Sequence, residues 1–168
     1  MLIGEEIDRL RNRERLFLVE SLDWRANRER VIYASRDLHQ FLEHPSASPG
    51  RNAERRKLQR LFDRFISGQE IAVAFERRIK GSDLKRLTPR RAEVWEFKVR
   101  TRPQLRVFGR FAQTDVFLAL TGPVDRAHCN YNEEITRCQQ EWNTLLPAHS
   151  PVYGSTLNDY ISAKGISL

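Results

Sequence analysis

The chain has 168 residues, 40% of them apolar, and a formal charge of +7 from 24 arginines and 5 lysines against 22 acids. That is one domain, with enough core to fold without metal or disulfide. No apolar run approaches the ~18 residues of a membrane span, the charged start MLIGEEIDRLRNRER has no signal-like segment, and Cys129 and Cys138 are too few for a disulfide framework or a four-ligand zinc site.

Residues 3 to 14 read as a short helix with Ile3, Ile7 and Leu10 on one side. The apolar run Leu16 to Leu22 reads as a strand. Asn27 is placed to cap a helix over 28 to 43, with a stripe of Val31, Ala34, Leu38, Phe41 and Leu42, ended by Pro45. After the loop SASPG a second helix spans 51 to 67, on which Leu58, Leu61, Phe62, Phe65 and Ile66 fall at helical spacing. The two helices predict an antiparallel hairpin.

From residue 71 the period changes to two. Ile71 to Ile79, Val94 to Arg100, Leu105 to Phe111 and Asp115 to Thr121 read as strands of an antiparallel meander. Trp95, Phe97 and Val99 alternate with Glu96, Lys98 and Arg100. Leu105, Val107 and Phe111 point inward, and Arg106, Phe108 and Arg110 outward. The almost wholly apolar segment 115 to 121 is a central strand. The last clear helix covers 131 to 146, with Ile135, Cys138, Trp142 and Leu145 on one face and Asn130 with Glu133 as a capping pair. The tail VYGSTLNDYISAKGISL is irregular, and the chain has no internal repeat.

The charge is concentrated. Residues 77 to 110 carry twelve basic side chains against three acids, a net +9, which leaves −2 for the rest. One basic block on a near-neutral body favours a polyanionic partner, nucleic acid being the commonest. A solvated surface facing an acidic protein is the plainer alternative. The N-terminal arginines alternate with acids, as on an ordinary solvated helix face.

Period-two geometry puts Lys98, Arg100, Arg106 and Arg110 on one side of two adjacent strands, with Phe108 among them. Cations there neutralise phosphates, and a phenyl ring stacks a base. Arginine binds phosphate oxygens bidentately and keeps its charge at any working pH. That suits RNA binding, and also cleavage in which a ribose 2′-hydroxyl attacks the adjacent phosphate. A strand surface without a ligand is the bland reading of the same pattern. The histidines His39, His44, His128 and His149 are scattered, and His128 beside Cys129 lacks a third ligand or a partner base. Cys138, Trp95 and Trp142 read as core. The absence of GxxxxGK[ST] and GxGxxG argues against a nucleotide-dependent enzyme.

The order of elements resembles the RelE/ParE-like toxin superfamily of bacterial toxin–antitoxin systems. The matching segments are Lys85-Arg86-Leu87, Trp95 to Arg100, Arg102 to Phe108, and Asp115 to Leu120. The W-E-F-x-V-R … L-R-V-F pattern is similar to HigB-like and phage-derived members, and the resemblance covers roughly residues 15 to 146. It implies an α+β fold, with an N-terminal strand and helical hairpin packed on an antiparallel β-meander and a C-terminal helix. The whole of 1–168 is then a single toxin domain, with a helical extension (about 1–14) and a tail (about 147–168) suited to docking an antitoxin or forming a dimer.

The implied function is a cytoplasmic, metal-independent, ribosome-associated mRNA endoribonuclease that needs no cofactor. Its partners are mRNA, the ribosome and a helix-turn-helix type antitoxin, with no membrane. Carried over by position, Lys98 matches a catalytic-type lysine of the K-x-R strand, and Arg106 the transition-state arginine that opens the next strand. Arg126 matches an arginine after the last strand, and Tyr131 lies near a late tyrosine. Arg100, Arg102, Phe108, Arg110, Lys85 and Arg86 are the implied RNA-binding set. A second strand lysine of the family falls on Glu96, which reads as an acid/base carboxylate or as a partner of Arg110 or Lys98. The alternatives are a ParE-like inhibitor of DNA gyrase and an RNA-binding module without cleavage.

Overall fold

Ile7 and Leu10 recur on one side of the first segment, and α1 (Ile3–Asn12) forms and buries both. The carboxylate of Glu5 accepts from the free Leu2 amide at its start. The computed structural model describes residues 1–75 and 79–168. Arg77, Arg78 and that part of the strand expected over 71 to 79 lie outside the described residues.

The next segments depart from expectation. β1 is short (Leu16–Leu18). The helix expected over 28 to 43 is a strand followed by a helix: β2 (Val31–Ser35), then α2 (Arg36–Glu43). Val31 and Ala34 fit a helical stripe, but Val31-Ile32-Tyr33 is β-branched and aromatic, which suits a pleated surface. Two neighbours supply the ladder that decides it: β1 pairs antiparallel on one side of β2 and β7 (Val116–Asp125) parallel on the other. Tertiary pairing overrides a weak local preference.

α3 runs from Pro49 to Ile66. The Ser48 hydroxyl accepts from the Arg51 amide, and Pro49 sits where a helix needs no amide donor. The strands β3 (Ile71–Ala74), β4 (Leu84–Arg86), β5 (Trp95–Val99) and β6 (Leu105–Gln113) follow. α4 (Tyr131–Leu145) starts at the expected cap, the Asn130 side chain accepting from the Glu133 amide. The tail is not irregular throughout. It forms α5 (Leu157–Tyr160) and β8 (Gly165–Ser167).

The eight strands among the described residues lie in the order β1-β2-β7-β6-β5-β4-β3-β8. β4 to β7 form the antiparallel meander. It begins at β4, because β3 pairs parallel with β4 on one side and with β8 on the other. The chain is thus α+β; the expected N-terminal strand is β1, and β2 is an additional strand before the two helices and the meander.

Helices cover both faces of the sheet. α2, α3 and α5 bury Leu38, Leu58, Phe62, Phe65 and Tyr160 against Trp95, Phe97, Val107, Phe111 and Phe117. α1 and α4 bury Ile7, Leu10, Ile135, Cys138 and Trp142 against Phe108, Leu118 and Leu120. Trp95 and Trp142 are core residues as expected, 0% and 1% exposed. Each side chain of that size contributes about 1.5–3 kcal/mol on full burial.

Candidate functional site

The alternation along β5 and β6 is as expected, but the face carrying Glu96, Lys98, Arg106, Phe108 and Arg110 is not open. α4 packs over it. Phe108 is 0% exposed, Arg110 5% and Arg106 7%. Phe108 lies edge-on to the Tyr131 ring, centroids 6.0 Å apart, and has no free face for a base. The sheet has a second helical layer because α1 and α4 each carry an apolar stripe that must be covered.

What remains accessible is the end of this face beside the start of α4. Lys98 and Arg106 sit directly opposite each other on β5 and β6, and Glu96 faces Phe108 one pair along on the same side. The diagonal brings Glu96 Oε2 to 3.4 Å from Arg106 Nε. Arg106 Nη1 also donates to the carbonyls of Leu105 at 2.9 Å and Val99 at 3.3 Å. Lys85 of β4 pairs opposite Glu96 from the other side. Tyr131, the first residue of α4, stands close enough to Glu96 and Arg106 for each to act on its proton affinity. Arg126 follows β7 directly, and its guanidinium lies 5.3 Å over the Tyr131 ring. Lys98, Arg106, Arg126 and Tyr131, drawn from two strands, a turn and a helix, therefore meet at one place.

Burial shapes the proton affinities here. It raises the Glu96 pKa above the usual carboxylate range, partly offset by Arg106. It lowers that of Lys98, against the pull of Glu96. Tyr131 is pushed up to about 12, by burial first and the Glu96 charge second, so it keeps its proton at neutral pH.

The other expected contacts scatter. Arg86 is 6% exposed and turned into a second buried cluster, 3.6 Å from Glu93 Oε1. It presents no charge to an RNA, because Glu93 neutralises it. Arg110 lies beneath Trp142, farther along α4. Arg100 is exposed at the sheet end, where it donates to the Gly81 carbonyl at 2.8 Å and stands 3.6 Å from Asp83. Arg102 is exposed in the β5–β6 turn, and its carbonyl accepts from Lys57 at 2.5 Å. Arg100, Lys57, Arg60 and Arg64 border a groove of about 360 Å³ that also touches Lys98. His128 is exposed, and Cys129 is half-buried with its thiol pKa raised by burial.

The main residue absent from the expected set is Glu96. It pairs with Arg106, not with Arg110 or Lys98. The sequence signal for it was the carboxylate standing where a cation was expected. Its diagonal relation to Arg106 needed the strand register. In the tail, Tyr160 and Ile161 are 0% and 1% exposed and complete the core.

Comparison of the chain with protein-family models, with curated proteins and with solved structures finds no match. Among the described residues no helix is long and apolar enough to cross a membrane, and no three His, Cys, Asp or Glu side chains form a metal-binding group.

Proposed function

We propose that the chain is a RelE-like toxin that cleaves mRNA at the ribosome through the Glu96–Tyr131–Lys98 cluster. The observation that supports this reading is the grouping of Lys98, Arg106 and Tyr131 around the buried Glu96 carboxylate at the start of α4, with Arg126 over the Tyr131 ring. Lys98 and Arg126 hold the scissile phosphate. The 2′-hydroxyl passes its proton to the Tyr131 oxygen while the Tyr131 proton moves to Glu96. The 2′-oxygen attacks phosphorus, and the departing 5′-oxygen takes a proton from Lys98. The products are a 2′,3′-cyclic phosphate and a 5′-hydroxyl. Arg106, bound to Glu96 and two carbonyls, acts as a positioning residue in place of the transition-state role read from sequence.

Primer extension on cellular mRNA during expression tests this. Wild type produces discrete cuts, and Lys98→Ala and Tyr131→Phe each reduce them by about 10²-fold or more, the usual scale of general acid–base groups. Intact mRNA with wild-type protein overturns the reading.

The pH profile follows from the two shifts. Cleavage needs ionised Glu96, so the acid limb lies above the range of an ordinary glutamate. It also needs protonated Lys98, so the alkaline limb lies below that of an ordinary lysine. A rate–pH profile on a short RNA, with Lys98→Arg moving the alkaline limb upward, checks both.

A second reading, RNA binding without cleavage, is favoured by the burial of Arg106, whose guanidinium is held by Glu96 and two carbonyls. Intact mRNA together with salt-sensitive RNA retention that is lost in Lys98→Ala supports it.

A further inference from the structure

Four arginines of the described chain are more than nine-tenths buried: Arg30, Arg86, Arg106 and Arg110. Arg86 and Arg106 each have a glutamate within ion-pair distance. Arg30 donates to the carbonyls of Phe65, Gln69 and Ala163. Arg110 has no such glutamate, and one carbonyl where Arg30 has three. Its Nη2 donates to the Ala92 carbonyl at 2.7 Å, its plane lies 5.2 Å over Trp142, and it contacts the Tyr153 hydroxyl. Its Nε has no hydrogen-bond partner, and among the described residues no carboxylate forms an ion pair with it. Glu93 acts on it through its charge but is already held by Arg86 and Tyr160, so this buried cation has no counter-ion of its own.

Arg110 opens into a cavity of about 600 Å³ between α4 and residues 147–153. That volume is in the range of small-molecule sites, roughly 300–1,000 Å³. Gln139, Gln140, Asn143 and His149 line it with Trp142 and Tyr153, and among the described residues no acidic side chain does. The amides both donate and accept, which suits the edge of a base or sugar. Tyr153 is 63% exposed, an aromatic surface at the rim. Burial lowers the Arg110 pKa, which an arriving anion reverses.

We propose that this cavity binds a small phosphate-bearing ligand of nucleotide size, with the phosphate on Arg110 and a ring against Tyr153. The Arg fork matches phosphate oxygens, and the anion supplies the charge that a glutamate supplies to Arg86 and Arg106. The site lies away from the Tyr131 end of α4 and stands independently of the RNA reading.

Isothermal titration with AMP, GMP, adenosine and inorganic phosphate tests it. A mononucleotide binds saturably and at least about tenfold more tightly than the nucleoside, as expected for a charge-assisted contact. Inorganic phosphate competes. Gln140→Glu, a change at an exposed position, puts a carboxylate at the cavity and weakens binding by about tenfold with Tm unchanged. Arg110→Met does the same where it folds, and Gln140→Glu decides where it does not. Lys98→Ala leaves binding intact. The proposal is overturned by equal binding of nucleoside and nucleotide, by no saturable binding at millimolar concentration, or by loss of binding in Lys98→Ala, which would place the ligand in the RNA cleft.

Discussion

Substituting Glu93 by alanine is expected to lower the free energy of unfolding by about 3–5 kcal/mol, the cost of leaving a buried charge without its partner. Glu93 is 2% exposed, and its two carboxylate oxygens are both engaged. Oε1 lies 3.6 Å from Arg86 Nη1, and the Tyr160 hydroxyl donates to Oε2 at 2.7 Å. The same hydroxyl accepts from the Gly154 amide at 2.8 Å and from Arg86 at 3.3 Å. The cluster thus ties β4, the turn after Leu87, and the C-terminal tail into one unit. Without the carboxylate, Arg86 is left among Phe75, Trp95 and Tyr160, whose faces compensate only part of its lost solvation. Urea unfolding of Glu93→Ala against wild type measures the loss. Replacing both partners, in Arg86→Met with Glu93→Ala, restores part of it, since an apolar pair carries no desolvation cost. A single-variant loss under about 1 kcal/mol would show that water reaches the pair and screens it.

The second large effect is expected at Gly109. This residue lies mid-strand in β6, paired with Trp95 on one side and Ala119 on the other. An added Cβ would fall 2.1 Å from the Leu118 carbonyl oxygen and 2.5 Å from the Phe117 ring. The ring has little room to turn away, because Phe97 and Phe111 pack edge-on against it at 5.0 and 5.1 Å. The carbonyl belongs to the neighbouring strand and moves only if β7 moves. Gly109→Ala therefore costs at least the 1–3 kcal/mol usual for overpacking, and more where the ladder must shift. The readouts are soluble yield and the urea midpoint. Gly4→Ala in α1 is the control: its Cβ meets open space, and its stability stays within about 0.5 kcal/mol of wild type. Equal behaviour of the two variants would show that the β6–β7 spacing is looser than described.

Much of this molecule was legible from residue order. α1, α3 and α4 follow apolar stripes, and the cap of α4, Asn130, sits where its stripe begins. β5 and β6 follow strict alternation, and their inward residues Trp95, Phe97, Val107 and Phe111 are in the core. Those signals are local, which is why they survive into the fold. The misreadings have one origin. Val31 to Ser35 has the composition of a strand and the spacing of a helix, and only β1 and β7 beside it settle the matter. Leu84 to Arg86 and Gly165 to Ser167 are three-residue strands. Nothing within so short a stretch marks it as a strand; its partner does.

The candidate site shows the same division. Lys98, Arg106 and Tyr131 are selected by sequence pattern and resemblance, and they come together. That Arg106 reaches Glu96, that Phe108 is sealed beneath Tyr131, and that Arg86 and Arg110 leave the group depend on the register of β5 with β6 and on α4 lying across them. Period two tells which side chains share a face, because successive Cβ atoms alternate across a strand. It carries no information on whether that face meets water or a helix, since the covering layer comes from residues far along the chain. By itself the sequence determined the longer elements, the alternation of β5 and β6 and the concentration of basic charge. Only the tertiary structure decided which of those charges are buried and paired, which remain open, and that Arg110 faces a cavity with no ion-pair partner among the described residues.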